Sequence, residues 1–139
     1  MTSAAAQPST TATTRVRVRY AETDKMGVVY HANFFVWFEV GRCEWLRALG
    51  STYRGLEEGG LQLPVIEASC TYLRPGHYDD ELDVRATARL VSPVQVEFAY
   101  EVVRVDDGAT LATGRTRHAA INLRGRPCRL PEPIRKVFA

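Results

Sequence analysis

Apolar and charged residues alternate strictly through Arg15-Val16-Arg17-Val18-Arg19-Tyr20, a pattern that predicts a strand with one buried face. The period then changes. From about Ala32 to Leu49, Phe34, Trp37, Phe38, Gly41, Trp45, Ala48 and Leu49 recur on one helical face, and Phe35, Val40 and Leu46 widen it. A helix this aromatic must be covered on most sides. Glu39–Arg42 and Glu44–Arg47 stand at the i,i+3 spacing that supports a helix, and Gly50 stops it. Gly41, inside the helix, costs roughly 1 kcal/mol against alanine. It reads either as a tolerated weak spot or as a point where another backbone approaches closely.

Residues 51–60 read as a short helix or loop closed by Gly59-Gly60. Strands follow. Leu63 to Arg74 is ended by Pro75-Gly76, Leu82 to Leu90 alternates cleanly, and Ser92-Pro93 joins it to Val94 through Val102. Asp106-Asp107-Gly108 signals a hairpin, and Leu111 to Leu123 is the last strand. Pro127, Pro131 and Pro133 break up the tail, with a helical turn expected over Ile134–Phe138. The expected fold class is therefore α+β: one strand, one long helix, then four antiparallel strands that curl around the helix. One sheet with one helix leaves a face or an edge strand available for pairing, so a homodimer or a dimer of dimers is expected.

The chain has 139 residues, which suits one domain, expected over residues 15–139. Its first fourteen residues are rich in Ala, Ser and Thr and lack the basic start and apolar centre of a signal peptide, so they read as a disordered leader. A net charge of +2 is too small to argue for nucleic acid. No apolar run reaches membrane-spanning length, so no stable membrane insertion is expected. Three separated cysteines, without a CxxC pair, point to a reducing, cytoplasmic setting. Arg124, Arg126, Arg129, Arg135 and Lys136 crowd the C-terminal end. They read as a solvated basic tail or as a dock for a phosphate-bearing ligand.

Candidate chemistry emerges by subtraction. There is no G-x-S-x-G, no HExxH, no zinc-ligand spacing among His31, His77, His118 and the cysteines, and no phosphate or dinucleotide loop. No metal or cofactor is expected, and Cys43 reads as a packed small residue. Asp24 remains. By itself a loop aspartate reads as a turn former or N-cap. Its neighbours change that. Gly27 lets the backbone turn back, Tyr30-His31 lie where the helix's free N–H groups collect, and Asn33 begins the apolar helix. A carboxylate beside such donors can attack a carbonyl whose oxygen they hold. Glu22 and Glu39 compete with it, Glu22 at a strand end and Glu39 within pairing reach of Arg42 and Arg47.

The run Thr23-Asp24-x-x-Gly27-Val28-Val29-Tyr30-His31-x-Asn33-Phe34, with Phe38-Glu39 and Glu44-Trp45-Leu46, resembles the signature of hot-dog-fold thioesterases of the 4-hydroxybenzoyl-CoA thioesterase-like family, close to its small bacterial acyl-CoA thioesterases. Leu63-Pro64-Val65, Tyr78-Asp79-Asp80-Glu81-Leu82 and Pro127-x-x-Leu130-Pro131 extend the likeness from about Arg15 to Ile134. The resemblance implies a five-stranded antiparallel sheet wrapped around one helix, and hydrolysis of acyl-CoA thioesters to free acid and CoA. It implies Asp24 as catalytic carboxylate, the backbone N–H near His31 as oxyanion donor, and the His31 side chain as an assistant. Gly27, Val28, Tyr30 and Asn33 would line the turn. Leu63 and Pro64 of a second subunit would complete the substrate pocket. An acyl-carrier-protein thioesterase and a non-catalytic acyl-CoA binding module are the alternatives. The basic pair that precedes the Ser92 turn in the aromatic-acyl branch is replaced here by Leu90-Val91.

Overall fold

Threonine is β-branched and suits a pleated strand, and this moves the first strand earlier than the Arg–Val alternation indicates. In the computed structural model, which describes residues 11–48 and 53–138, β1 runs Thr11–Arg17 and alternates between exposed and half-buried positions from its first residue. The expected leader therefore overlaps β1 at residues 11–14, and residues 1–10 lie outside the described residues. Val18 still exchanges backbone hydrogen bonds of 2.9 Å with the 79–80 turn, but Tyr20–Glu22 form a single 3-10 turn rather than strand.

Helix α1 spans Asn33–Ala48 and buries Phe34, Trp37, Phe38, Gly41, Trp45 and Leu46, the expected stripe. Ala48 is exposed at its end, and the expected stop at Leu49-Gly50 lies outside the described residues. Both i,i+3 ion pairs form, Glu39–Arg42 at 3.6 Å and Glu44–Arg47. Helix α2, Tyr53–Glu58, ends at Gly59-Gly60. The other strands are β2 (Val65–Tyr72), β3 (Glu81–Ser92), β4 (Gln95–Arg104) and β5 (Thr110–Ala119). They and β1 make one antiparallel five-stranded sheet in the order β1-β3-β4-β5-β2. With α1 on one face, this is the hot-dog arrangement.

The last strand stops earlier than Leu123. Asn122 accepts the N–H groups of Arg124 and Arg126 on its side-chain oxygen and bends the chain there. Helix α3, Glu132–Phe138, is longer than the expected turn. It brings the Phe138 ring to 5.0 Å from Trp45 and 5.8 Å from Phe98, closing the far end of α1. On the outer face, ion pairs run across the strands, with Arg15–Asp83 at 3.0 Å and Arg85–Glu101 at 2.9 Å. Arg117 and Arg89 together hold the Glu97 carboxyl below its usual range.

Two glycines seat α1 on the sheet. A Cβ at Gly41 would lie 2.9 Å from Val84 Cγ1, so the close approach is by the sheet's side chains rather than by another backbone. A Cβ at Gly114 would lie 2.7 Å from the Ser69 carbonyl oxygen and would strike the Phe38 ring. Beside Gly114 runs a buried polar chain. The Leu63 carbonyl can only accept, so His118 Nδ1 carries the proton at 2.9 Å, and Nε2 accepts the Thr116 hydroxyl at 2.9 Å. Tyr100 then donates to Thr116. Burial, against the pull of the Leu63 carbonyl, lowers the His118 pKa to about 4.

Gly41→Ala, stabilising by about 1 kcal/mol in an exposed helix, is expected here to destabilise by about 1–2 kcal/mol through overpacking. Gly114→Ala should cost more. Denaturant midpoints check both, and unchanged midpoints would refute this seating. His118 gives a second expectation. Between about pH 6.5 and pH 4 the unfolded chain binds a proton at this residue that the folded chain refuses. Stability is therefore full above that window and is lost as pH falls through it, by at most about 3 kcal/mol. Denaturant melts across the window should show a smaller acid loss for His118→Gln than for the unsubstituted protein; equal losses refute the assignment.

Candidate active site

The 23–29 segment folds back on itself. Asp24 N–H donates to the Val28 carbonyl at 2.8 Å and Gly27 N–H to the Asp24 carbonyl at 3.0 Å. Gly27 sits at φ +80°, a conformation that favours glycine. This turn lies against the 75–77 loop, where Val28 bridges His77 and Val29 N–H donates to the Gly76 carbonyl at 2.8 Å. A Cβ at Gly76 would meet Val29 Cγ2 at 3.0 Å, so the loop and the turn touch directly.

The turn orients the Asp24 carboxylate. Its Oδ1 accepts Met26 N–H at 2.8 Å and, more weakly, Val28 N–H at 3.4 Å. Among the described residues, Oδ2 has no partner. Half of this carboxylate is thus a local cap, and the other half is free to act.

The start of α1 is tied to the same turn. The Glu22 carbonyl accepts Tyr30 N–H at 2.8 Å and the Asn33 side-chain amide at 2.9 Å. Asn33, Phe34 and Phe35 N–H groups are taken by the Tyr30, His31 and Ala32 carbonyls at 2.9, 3.3 and 3.2 Å. The N–H groups of His31 and Ala32 have no acceptor among the described residues. They are the open donors that a helix start presents to an oxyanion. From the sheet, the Tyr72 hydroxyl donates to the His31 carbonyl at 3.1 Å.

These pieces wall a groove of about 330 Å³. Asp24, Met26, Val28 and Val29 come from the turn, His31 and Phe34 from the helix start, and Tyr72 to Gly76 from the end of β2 and the loop after it. The structure thus brings Asp24, Val28 and His31 together. Gly27 shapes the turn and the Tyr30 ring lies tilted against His31 at 4.6 Å between ring centres, but neither lines the groove. Asn33 serves as a tie. Leu63 and Pro64 line a different hollow of about 310 Å³, with Glu39, Arg42 and Cys43. The competing carboxylates are occupied: Glu22 Oε1 accepts Arg19 N–H at 2.8 Å, and Glu39 pairs with Arg42. Burial pushes the Cys43 thiol up, away from a nucleophile's range. Among the described residues, no three His, Cys, Asp or Glu side chains gather to hold a metal.

Tyr72 and the 73–76 loop went unrecognised from sequence. Leu63 to Arg74 reads as an unremarkable strand, and nothing in its pattern marks which end meets the helix start.

A sequence profile of the thioesterase-like superfamily matches residues 18–138. The chain is 31% identical over 125 residues to the acyl-CoA thioesterase YbgC of Haemophilus influenzae, covering 88% of this chain and 90% of that one. It is 38% identical over 87 residues to the YneP protein of Bacillus subtilis, a stretch that is 63% of either chain. Slr0204 of Synechocystis, solved as a 1,4-dihydroxy-2-naphthoyl-CoA thioesterase, superposes with a TM-score of 0.86 at 28% identity, over 92% of this chain and 95% of that one.

Proposed function

The chain belongs to the thioesterase-like superfamily, and we propose that it hydrolyses acyl-CoA thioesters to a free acid and coenzyme A in the Asp24 groove. The observation that carries this reading is an Asp24 oxygen without a partner among the described residues, in the same groove as His31, whose N–H and that of Ala32 likewise have no acceptor there. The thioester carbonyl oxygen docks on those donors, which stabilise the negative charge it gains as its carbon becomes tetrahedral. On the nucleophilic route, Asp24 Oδ2 bonds to the carbonyl carbon and the C–S bond breaks. The thiolate leaves, and water cleaves the mixed anhydride to regenerate the carboxylate. On the general-base route, Asp24 takes a proton from water as the water oxygen attacks the same carbon; the tetrahedral intermediate then collapses, the C–S bond breaks, and the proton goes to the departing thiolate, which restores the carboxylate. The His31 imidazole, on the groove wall, is placed to protonate the departing sulfur.

A second copy of the chain is the partner this reading requires. β2 is an edge strand exposed along nearly its whole length, and it presents Val65, Ile66 and Tyr72. Exposed apolar edges seek pairing. Antiparallel pairing of β2 with its copy, centred on Ala68, would set Leu63 and Pro64 of one copy beside Leu73 and Tyr72 of the other. That would explain how residues that line a separate hollow in one chain can serve the groove of a neighbour. Three free cysteines accord with a reducing, cytoplasmic setting, and among the described residues no helix is long and apolar enough to cross a membrane.

Asp24→Asn keeps an oxygen for the turn's N–H donors, so it should fold normally and lose more than about a hundredfold in kcat. Thiol release from short, long and aromatic acyl-CoAs, with melting curves alongside, checks this; normal turnover would refute Asp24. Ile66→Glu should convert a dimer into monomers with reduced turnover, read by sedimentation and thiol release. A fully active monomer would sink the shared groove.

A further inference from the structure

We infer that Tyr72 is a positioning residue for the His31–Ala32 peptide unit. Its phenol pins the carbonyl end of that unit, and the N–H end is thereby aimed and polarised toward the substrate oxygen. The inference rests on the reading that N–H groups at the start of α1 hold the thioester carbonyl.

The two ends of this peptide unit are treated differently. Its oxygen, on His31, receives two donors: the Tyr72 hydroxyl at 3.1 Å and Phe34 N–H at 3.3 Å. Its N–H, on Ala32, has no acceptor among the described residues. Donors pulling on an amide oxygen draw electron density from the nitrogen and make its N–H a better donor, because hydrogen bonds in a chain polarise one another. They also fix the peptide plane, and a donor that need not reorient during reaction stabilises developing charge best.

Tyr72 is well held for this task. Its backbone lies in the β2–β5 ladder opposite Ala112. Its ring meets Phe34 edge-on at 5.5 Å and His31 at 6.1 Å. Partial loss of solvation first, and then the neighbouring Cys70 thiol, push the Tyr72 pKa up to about 12, so the phenol keeps its proton and remains a donor at neutral pH. Among the described residues, no other strand side chain hydrogen-bonds to the helix start, so the sheet's hold on the peptide passes through this one oxygen.

Tyr72→Phe removes that oxygen and keeps the ring. The expected result with an acyl-CoA substrate is a kcat lowered about tenfold with KM within about twofold, since the lost interaction matters most in the transition state. The melting temperature should not move, and the Ala32 amide proton should shift upfield in the NMR spectrum. A merely structural tyrosine would change stability without that kinetic split. Unchanged kcat, or a raised KM with kcat intact, overturns the inference. If the variant melts lower, the Ala32 resonance recorded below its melting range decides: a shift supports the inference and a stationary resonance overturns it. Failure of the underlying reading looks different. The unsubstituted protein would then release no thiol, or Asp24→Asn would remain active, whereas a stationary Ala32 resonance strikes Tyr72 alone.

Discussion

One carbonyl oxygen, that of Glu22, couples the two halves of the site. It collects the Tyr30 N–H and the Asn33 side-chain amide, and so fastens the turn that carries Asp24 to the start of α1. The Glu22 side chain is itself buried and turned back on Arg19 N–H, which leaves the main chain little room to shift. A part-buried acceptor that loses a donor costs about 1–3 kcal/mol. Asn33 therefore matters to the chemistry without touching the groove. Its amide sets how far the carboxylate stands from the open N–H groups, and a misplacement of even an ångström there is expensive in rate.

The rest of the fold keeps that joint still. α1 lies close to the sheet because Gly41 and Gly114 have no side chains to hold them apart. Phe38 stacks parallel to Tyr100 at 4.4 Å, and Trp45 is enclosed by Phe98 and Phe138. The helix is thus anchored along its length, and its first turn inherits a fixed position. The sheet supplies the opposite wall through Tyr72 and the loop that follows it. A small domain in this way sets a carboxylate from one segment against backbone donors from another.

The strongest patterns in the chain gave the fold: the period change at Ala32, the alternation of β3 and β4, and the Gly108 hairpin. Boundaries were less readable. Thr11 to Thr14 belong to β1 although their composition looks unstructured, because pairing with β3 overrides a weak local preference. β5 ends before Asn122 because side-chain capping in the following turn outcompetes the ladder. Asp24 was singled out from turn chemistry, which is local, and the His31 side chain through the family resemblance; the fold brings both to one groove. Tyr30 was expected to line the turn from the family resemblance, and Asn33 from its place at the start of the apolar helix. Their actual contacts depend on which way the chain faces after folding, and no local signal carries that. Tyr72 lies far away along the chain and meets His31 only through the sheet's topology.

The groove's walls have a further property. Met26, Leu73 and Arg74 are all exposed, and none belongs to the buried cluster that holds helix to sheet. The rim can therefore be redrawn by substitution at little cost to folding. New acyl groups become accessible by small steps, while Glu22, Asn33 and the two seating glycines stay under separate constraint. If the proposed groove takes the acyl group, selectivity and foldedness are held by different residues, and a scaffold of this design can diverge in what it accepts without first gaining a reserve of stability.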